Sequence, residues 1–118
     1  MIIKNFLIVF GTRPEAIKLA PLIKLLQQDP NFQIKICVTG QHREMLDQVL
    51  HLFEIVPDFD LNVMKKSQSL FDITIEVMIG LREIIKTHNF NYIFVHGDTT
   101  TSFSAAISAF YEKVPVVH

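Results

Sequence analysis

The chain has 118 residues, of which 49% are hydrophobic and 19% charged, and its net charge is −1. This length and composition predict one globular domain, residues 1–118, with a single hydrophobic core. Because the 11 basic and 12 acidic residues are interspersed and no apolar run reaches the ~20 residues of a membrane span, we expect no nucleic-acid partner and no membrane partner.

Apolar runs of strand length alternate along the chain with longer segments whose apolar residues recur at helical spacing. This alternation is typical of βαβ units and predicts a Rossmann-like three-layer α/β/α fold with a mostly parallel sheet. In chain order, we expect strand 2–10, helix 14–28, strand 33–39, helix 42–54, a short strand near 59–63, helix 69–88, strand 91–96, helix 99–112 and strand 114–118.

The chain begins directly with a predicted strand, without the charged, apolar and small-residue regions of a signal peptide. Its single cysteine, Cys37, falls inside a predicted strand, where we expect a buried and reduced thiol. Both features favour a cytoplasmic protein.

Two local signals refine the helix boundaries. Pro21 lies inside helix 14–28, where proline removes a hydrogen bond and clashes with the preceding turn. We expect a kinked helix because the apolar face continues beyond Pro21; the alternative is a short turn followed by a second helical piece. Ser69 and Asp72 have the spacing of a capping box at the start of helix 69–88.

Three of the four glycines stand where a predicted strand gives way to polar residues: Gly11, Gly40 and Gly97. The carboxyl ends of parallel strands meet at one edge of the sheet, which is where ligands bind in such folds. We therefore expect the three segments that follow these glycines to share one crevice.

The segment after Gly11 opens a helix, with Thr12 and Glu15 spaced for a capping box. Free N–H groups at such a helix start, together with Arg13 and Lys18, predict a site for phosphate. The alternative is a well-capped helix with two solvated cations. Neither G-x-x-x-x-G-K-[ST] nor G-x-G-x-x-G occurs in the sequence, so a P-loop ATPase and a nicotinamide-dependent dehydrogenase are not indicated.

The segment after Gly97 begins with Asp98 and continues with three threonines and a serine. A carboxylate at a strand end can act as acid or base, and the hydroxyl groups can cap a helix or hold phosphate oxygens. The alternative is that Asp98 or Thr99 only caps the helix. We expect Arg13 and Asp98 to face each other across the crevice, because their strands are predicted neighbours.

The segment after Gly40 contains Gln41, His42, Arg43 and Glu44, whose polar groups can contact a second anionic or sugar ligand. The alternative is a polar helix start, with Glu44 in the first turn, where negative charge is favourable. The five histidines and the cysteine have no metal-binding spacing, and we expect no metal site.

Four segments together closely resemble the non-hydrolysing UDP-N-acetylglucosamine 2-epimerases. They read Phe-Gly-Thr-Arg-Pro-Glu-Ala-Ile-Lys at 10–18, Gln-His-Arg-Glu-Met-Leu-Asp-Gln-Val-Leu at 41–50, Pro-Asp-Phe-Asp-Leu-Asn at 57–62 and Val-His-Gly-Asp-Thr-Thr-Thr at 95–101. They stand in the family's order and spacing and extend over essentially the whole chain. Four collinear motifs are far more specific than any one of them alone.

This resemblance implies an isomerase that interconverts UDP-N-acetylglucosamine and UDP-N-acetylmannosamine for polysaccharide precursor biosynthesis. In the family, UDP is eliminated to give a 2-acetamidoglucal and is then added back with inversion at C2. The resemblance also implies a GT-B-like fold of two domains, of which this chain matches the N-terminal half, and a homodimer formed through helices of that domain. It implies no cofactor, because such chemistry needs neither a metal nor nicotinamide.

The resemblance further assigns roles to single residues. The positions of Arg13 and Lys18 help to bind the diphosphate side of the nucleotide sugar, and that of Asp98 belongs to the acid/base set. A regulatory site for a second UDP-N-acetylglucosamine lies near Gln41, His42 and Arg43, with Glu44 as a further candidate.

Members of the family continue beyond the position of His118 with two glutamates, a histidine and most of the uridine pocket. We therefore expect this chain to be a truncated piece of a longer protein that lacks the second, UDP-binding domain, and to be inactive or nearly so alone. A complete small domain is the alternative reading. Other functions on this scaffold are a GT-B glycosyltransferase, a hydrolysing epimerase that releases free N-acetylmannosamine, and a non-catalytic binding or assembly domain.

Overall fold

The computed structural model describes residues 2–65 and 67–118. In chain order the elements of this part are β1 (Lys4–Phe10), α1 (Arg13–Gln27), β2 (Phe32–Val38), α2 (Arg43–Leu52), β3 (Phe59–Asp60), α3 (Leu70–Thr87), β4 (Tyr92–Phe94), α4 (Thr100–Tyr111) and β5 (Val116–Val117). All nine predicted elements are confirmed in type and order. The first strand starts later than expected, since Ile2 and Ile3 precede β1 and are exposed.

The strands form one parallel sheet in the order β3-β2-β1-β4-β5. The first strand is thus central, and the chain winds outwards from it in both directions. β1 pairs with β2 along its whole length and with β4 through Phe6, Leu7 and Ile8. The chain leaves β1 and β4 in opposite directions along the sheet, and in folds of this type ligands bind at the carboxyl ends of such a strand pair.

Helices cover both faces of the sheet, which confirms the three-layer α/β/α fold. Side chains of β1 alternate between two cores, because successive residues of a strand point to opposite faces. Ile8 and Phe10 pack with α1 and α2, whereas Leu7 and Val9 pack with α3 and α4. Since β1 is buried on both faces, its uninterrupted apolar sequence is explained.

The local signals have mixed outcomes. α1 is a single helix that contains Pro21, so two separate helical pieces do not form, and the expected kink stays a prediction. The capping box of α3 is confirmed: Asp72 N–H donates to Ser69 Oγ at 3.1 Å, and Ser69 N–H donates to Asp72 Oδ2 at 3.0 Å. Hydrogen bonds from the Ser69 backbone and side chain lower the pKa of Asp72.

Cys37 is fully buried in β2, as expected. Burial, with a smaller contribution from the negative charge of Asp60, raises the pKa of this thiol to about 12. Among the four helices of the described residues, none combines the length and the apolar character that crossing a bilayer requires.

Candidate functional site

The three segments after the glycine junctions lie on one edge of the sheet, as predicted. Gly11 follows β1, Gly40 follows β2 and Gly97 follows β4, and β1 lies between the other two strands. At this edge, hydrogen bonds of Glu15 join the first turns of α1 and α4.

Gly11 is required by the close approach of its neighbours. A Cβ at this position would collide with Thr39 Oγ1 and would lie 2.7 Å from Thr101 Oγ1. These two buried hydroxyl groups are 2.9 Å apart, and Thr101 donates its hydrogen to Gln41 Oε1 at 2.9 Å. Since the Thr101 hydroxyl has one hydrogen, Thr39 is the donor to Thr101. The end of β2 and the start of α4 are therefore joined across the glycine.

The carboxylate of Glu15 joins α1 to α4 and is 2% exposed. Its Oε1 accepts hydrogen bonds from Thr12 N–H at 3.0 Å, from the Thr12 hydroxyl at 2.7 Å and from Gly11 N–H at 3.3 Å. Its Oε2 accepts from the hydroxyl groups of Thr99 and Ser102, both at 3.1 Å. One buried side chain thus holds together two helix starts that are 84 residues apart in the sequence.

The sequence analysis treated Glu15 only as part of a capping box, which does form. The signal that it missed is the helical spacing of Glu15, Leu19 and Ile23. Residues four apart lie on one side of a helix, and all three are buried. An acidic residue in line with core residues predicts a buried carboxylate, which needs hydrogen-bond donors from outside its own turn.

The start of α1 differs from the expected anion site in one respect. The N–H groups of Gly11 and Thr12 are not free, because they donate to Glu15, and Pro14 has no N–H. The side chains of Arg13 and Lys18 are exposed. The groups near this helix start that are exposed and able to attract an anion are the guanidinium of Arg13 and the ammonium group of Lys18.

Asp98 lies on the exposed lip of a groove next to the start of α4. The groove is lined by Val95, Gly97, Asp98, Ser102, Phe103, Ala106, Val116 and His118. The N-cap of α4 is Thr99, whose Oγ1 accepts from Ser102 N–H at 3.1 Å. Within the described part of the chain, no hydrogen bond or ion pair engages the Asp98 carboxylate, so the capping alternative holds for Thr99 and not for Asp98.

The loop that carries Asp98 is shaped by Gly97 and His118. Gly97 has φ +76°, a backbone conformation that residues with a Cβ avoid. His118 Nε2 donates to the Gly97 carbonyl at 2.8 Å. β4 and β1 are direct neighbours, so Arg13 and Asp98 follow adjacent strands; that their side chains face each other stays a prediction.

The segment 41–44 is divided between two environments. Gln41 is buried and its amide oxygen is held by Thr101, whereas His42 and Glu44 are exposed at the start of α2. None of these contacts assigns or excludes the regulatory role predicted for the segment.

Arg43 turns towards β3. Its Nη2 donates to Asp60 Oδ1 at 2.6 Å and to Asn62 Oδ1 at 3.1 Å, and its Nη1 donates to Asp47 Oδ1 at 3.3 Å. The hydrogen bond to Asp60 is the main cause that raises the pKa of Arg43 above its usual value. Arg43 therefore fixes the loop between β2 and α2 against the end of β3.

No group of three or more His, Cys, Asp and Glu side chains in residues 2–65 and 67–118 is arranged to hold an ion. Arg13 and Asp98 follow the neighbouring strands β1 and β4; a guanidinium is a donor suited to phosphate, and a carboxylate can act as acid or base.

Comparison with known proteins identifies relatives over nearly the whole chain. Residues 24–118 match the family model described as UDP-N-acetylglucosamine 2-epimerase. The chain is 55% identical over 112 residues to the UDP-N-acetylglucosamine 2-epimerase of Salmonella typhimurium, an alignment that covers 95% of this chain and 30% of that protein.

Two solved structures have the same fold. The UDP-GlcNAc 2-epimerase from Neisseria meningitidis bound to UDP-GlcNAc aligns with a TM-score of 0.87 and 54% identity, covering 95% of this chain and 31% of that one. The enzyme from Methanocaldococcus jannaschii in complex with UDP-GlcNAc and UDP aligns with a TM-score of 0.90 and 27% identity, covering 97% and 32%. The chain spans about 30% of the length of the curated relatives that it matches.

Proposed function

Since the chain belongs to the UDP-N-acetylglucosamine 2-epimerase family, we propose that it forms one side of a site that interconverts UDP-N-acetylglucosamine and UDP-N-acetylmannosamine. The reaction eliminates UDP to a 2-acetamidoglucal and adds it back with inversion at C2, in a pathway that makes polysaccharide precursors. The observation that carries the proposal is that Glu15 joins the starts of α1 and α4, so that the exposed side chains of Arg13 and Asp98 follow adjacent strands.

Arg13 and Lys18 bind the diphosphate. Both side chains are exposed near the start of α1, where the positive end of the helix dipole adds to their charge. During elimination, negative charge grows on the departing UDP, and fixed cations stabilise that charge more than they stabilise the bound substrate. Arg13 contributes a planar, two-pronged donor that suits a phosphate group.

Asp98 moves a proton. Epimerisation at C2 requires that a proton leaves one face of the sugar and that another arrives on the opposite face. A carboxylate at a strand end, exposed and without a hydrogen-bond partner among the described residues, is able to serve as one of the acid/base groups. A second group on the other face of the sugar completes the inversion.

The acid/base group that acts on the other face of the sugar is contributed by another domain. The chain spans about 30% of its relatives' length, and we assign residues 1–118 to the N-terminal Rossmann-like domain of a GT-B-like enzyme. On this proposal, the isolated chain is inactive or nearly so. The whole enzyme acts in the cytoplasm, where nucleotide sugars are made.

Segment 41–44 belongs to a regulatory site for a second UDP-N-acetylglucosamine. Thr101 holds the Gln41 amide in one orientation, and His42 and Glu44 are exposed beside it. Arg43 supports this segment through Asp60 and Asn62.

The enzyme is a homodimer through α3 and α4. Side chains four residues apart make an exposed apolar stripe on α3, namely Phe71, Ile75 and Ile79, and Phe103, Phe110 and Tyr111 are exposed on α4. A groove between the two helices is lined by Met78, Ile79, Arg82, Ser108, Tyr111 and Glu112. Exposed apolar surface of this extent is typical of an interface, and sedimentation velocity would measure the association.

The function is tested with a chimera of the Salmonella typhimurium relative in which this chain replaces the matching 112 residues. The chimera, incubated with UDP-N-acetylglucosamine, should form UDP-N-acetylmannosamine, and ¹H NMR would monitor the conversion. The isolated chain should give little turnover. Release of free N-acetylmannosamine would indicate the hydrolysing reaction instead. No turnover by a folded chimera would contradict the proposal.

A further inference from the structure

We propose that Glu15 is a positioning residue, which sets the placement of the Arg13 side of the crevice relative to the Asp98 side. This inference rests on the proposed function, since it matters for catalysis only if those two residues act on one substrate. Glu15 itself is buried and does not touch the substrate in this proposal.

A capping box does not by itself require a buried carboxylate. α3 has the same box, and there Asp72 is exposed and hydrogen-bonds only to Ser69 among the described residues. In α1 the carboxylate of Glu15 is 2% exposed and has bonds beyond its own helix. Burying a carboxylate is unfavourable unless donors surround it. The extra bonds therefore point to a role beyond capping.

Glu15 is hydrogen-bonded to the sequence neighbours of both proposed functional residues. On α1, Arg13 stands directly after Thr12, which donates twice to Glu15 Oε1. On α4, Asp98 stands directly before Thr99, which donates to Glu15 Oε2. The positions of Arg13 and Asp98 are thus each fixed at a neighbouring residue by the same carboxylate.

Ser102 extends this link to the end of β4. Its hydroxyl oxygen lies 3.1 Å from Glu15 Oε2 and 2.6 Å from the His96 carbonyl, two residues before Asp98. The single hydroxyl hydrogen donates to one of these acceptors at a time. Thr99 thus links the Asp98 loop to Glu15 directly, and Ser102 connects the loop either to Glu15 or to the end of β4.

The negative charge of Glu15, as well as its shape, contributes to the link between α1 and α4. The carboxylate lies at the first turns of two helices, where the positive ends of both helix dipoles meet. A neutral amide in its place keeps most of the volume but loses this attraction, and its NH₂ group cannot accept a hydrogen bond. Glu15→Gln should therefore loosen the link without opening a cavity.

The catalytic test uses the active chimera with Glu15→Gln and, separately, Ser102→Ala. A misplacement of about 1 Å lowers rates by roughly 10²-fold, so we expect kcat to fall by up to that factor in Glu15→Gln and by less in Ser102→Ala. KM should change less than kcat. The matched control is Asp72→Asn, which removes the acid of the other capping box and should leave kcat unchanged.

A second measurement needs no turnover. In ¹H–¹⁵N NMR spectra of the chain itself, Glu15→Gln should shift the amide signals of both Gly11–Thr12 and Thr99–Ser102, whereas Asp72→Asn should shift only signals near residue 72. Ser102→Ala keeps all bonds of Glu15 to its own helix, so it tests the link even if Glu15→Gln fails to fold.

The possible outcomes are distinguishable. Values of kcat within twofold of the parent chimera in both variants would overturn the positioning role, as would NMR shifts confined to residues 11–16. A folded but inactive parent chimera would count against the proposed function, and the NMR comparison would then decide by itself whether Glu15 links the two loops.

Discussion

Arg43 Nη2 and Asp60 Oδ1 are 2.6 Å apart and connect the start of α2 to the end of β3. The side chains are 30% and 44% exposed. Ion pairs at this exposure contribute little to stability, about 0–1 kcal/mol, so the pair chiefly orients the loop that follows Gly40.

The first prediction concerns this ion pair. Asp60→Asn should lower the free energy of unfolding by less than about 1 kcal/mol, and the loss should shrink as salt screens the charges of the parent chain. Urea unfolding at low and high ionic strength measures both effects. Glu83→Gln, which alters an exposed pair with Arg82 within α3, is the control. A decrease of several kcal/mol in the free energy of unfolding would contradict this prediction and would mean that the Arg43–Asp60 pair is essential for the packing of the loop.

The second prediction concerns the close packing at Gly11. Gly11→Ala should destabilise the chain by about 1–3 kcal/mol, the usual range for overpacking, because the new methyl group meets the Thr39 and Thr101 hydroxyls. Removing the Thr39 hydroxyl in the double variant with Thr39→Ala should recover part of this loss. Thermal and urea unfolding measure it, and additive effects of the two substitutions would contradict the proposed collision.

A third prediction concerns the reactivity of the single cysteine. Since burial raises the pKa of Cys37 to about 12, the reactive thiolate is scarce at neutral pH. The native chain at pH 8 should react with a thiol reagent far more slowly than the chain unfolded in guanidinium, which should bind one reagent molecule per chain. Rapid labelling of the native chain would show that β2 opens easily.

The fourth prediction concerns pH and the capping box of α3. The pKa of Asp72 is lowered on folding, so its contribution to stability is present above the unfolded pKa and disappears as the pH falls through the folded value. The parent should therefore be more stable than Asp72→Asn at neutral pH, and the two should converge in acid below pH ~4, near the ordinary pKa of Asp. Unfolding curves from pH 7 to pH 2 test this. A difference that grew in acid would have the wrong sign.

The fifth prediction concerns catalysis. In the active chimera, Asp98→Asn should lower kcat by about 10²–10⁴-fold, the range for loss of an acid or base group, and should leave the melting temperature almost unchanged because the side chain is exposed. Glu83→Gln should keep full activity. An Asp98→Asn variant with parental kcat would assign the proton transfer to another group.

The fold could be predicted well because its signals are local. The helical spacing of Ile73, Val77 and Leu81 and the capping pair at the start of α3 lie within single elements. The alternation of strands and helices then allows few arrangements other than a parallel sheet. The location of the glycine junctions at one edge follows from that topology alone.

The site could be predicted less completely, because its contacts join distant parts of the chain. Glu15 and Ser102 are 87 residues apart, and no rule based on local spacing pairs them. Likewise, Gln41 stands among polar residues at a predicted helix start, yet it is buried and its amide oxygen accepts a hydrogen bond from Thr101. Strand order indicates which loops meet, but only the packing of side chains decides which polar groups bond.

The central position of β1 affects how the protein folds during its synthesis on the ribosome. Phe6 pairs with Tyr92, so one edge of β1 stays unpaired until β4 has been synthesised. During that interval β1, α1 and β2 can already assemble, while an apolar strand keeps an open edge of the kind that favours aggregation. Translation speed and chaperones that shield nascent chains should therefore affect the yield of folded protein, whatever the stability of the folded state.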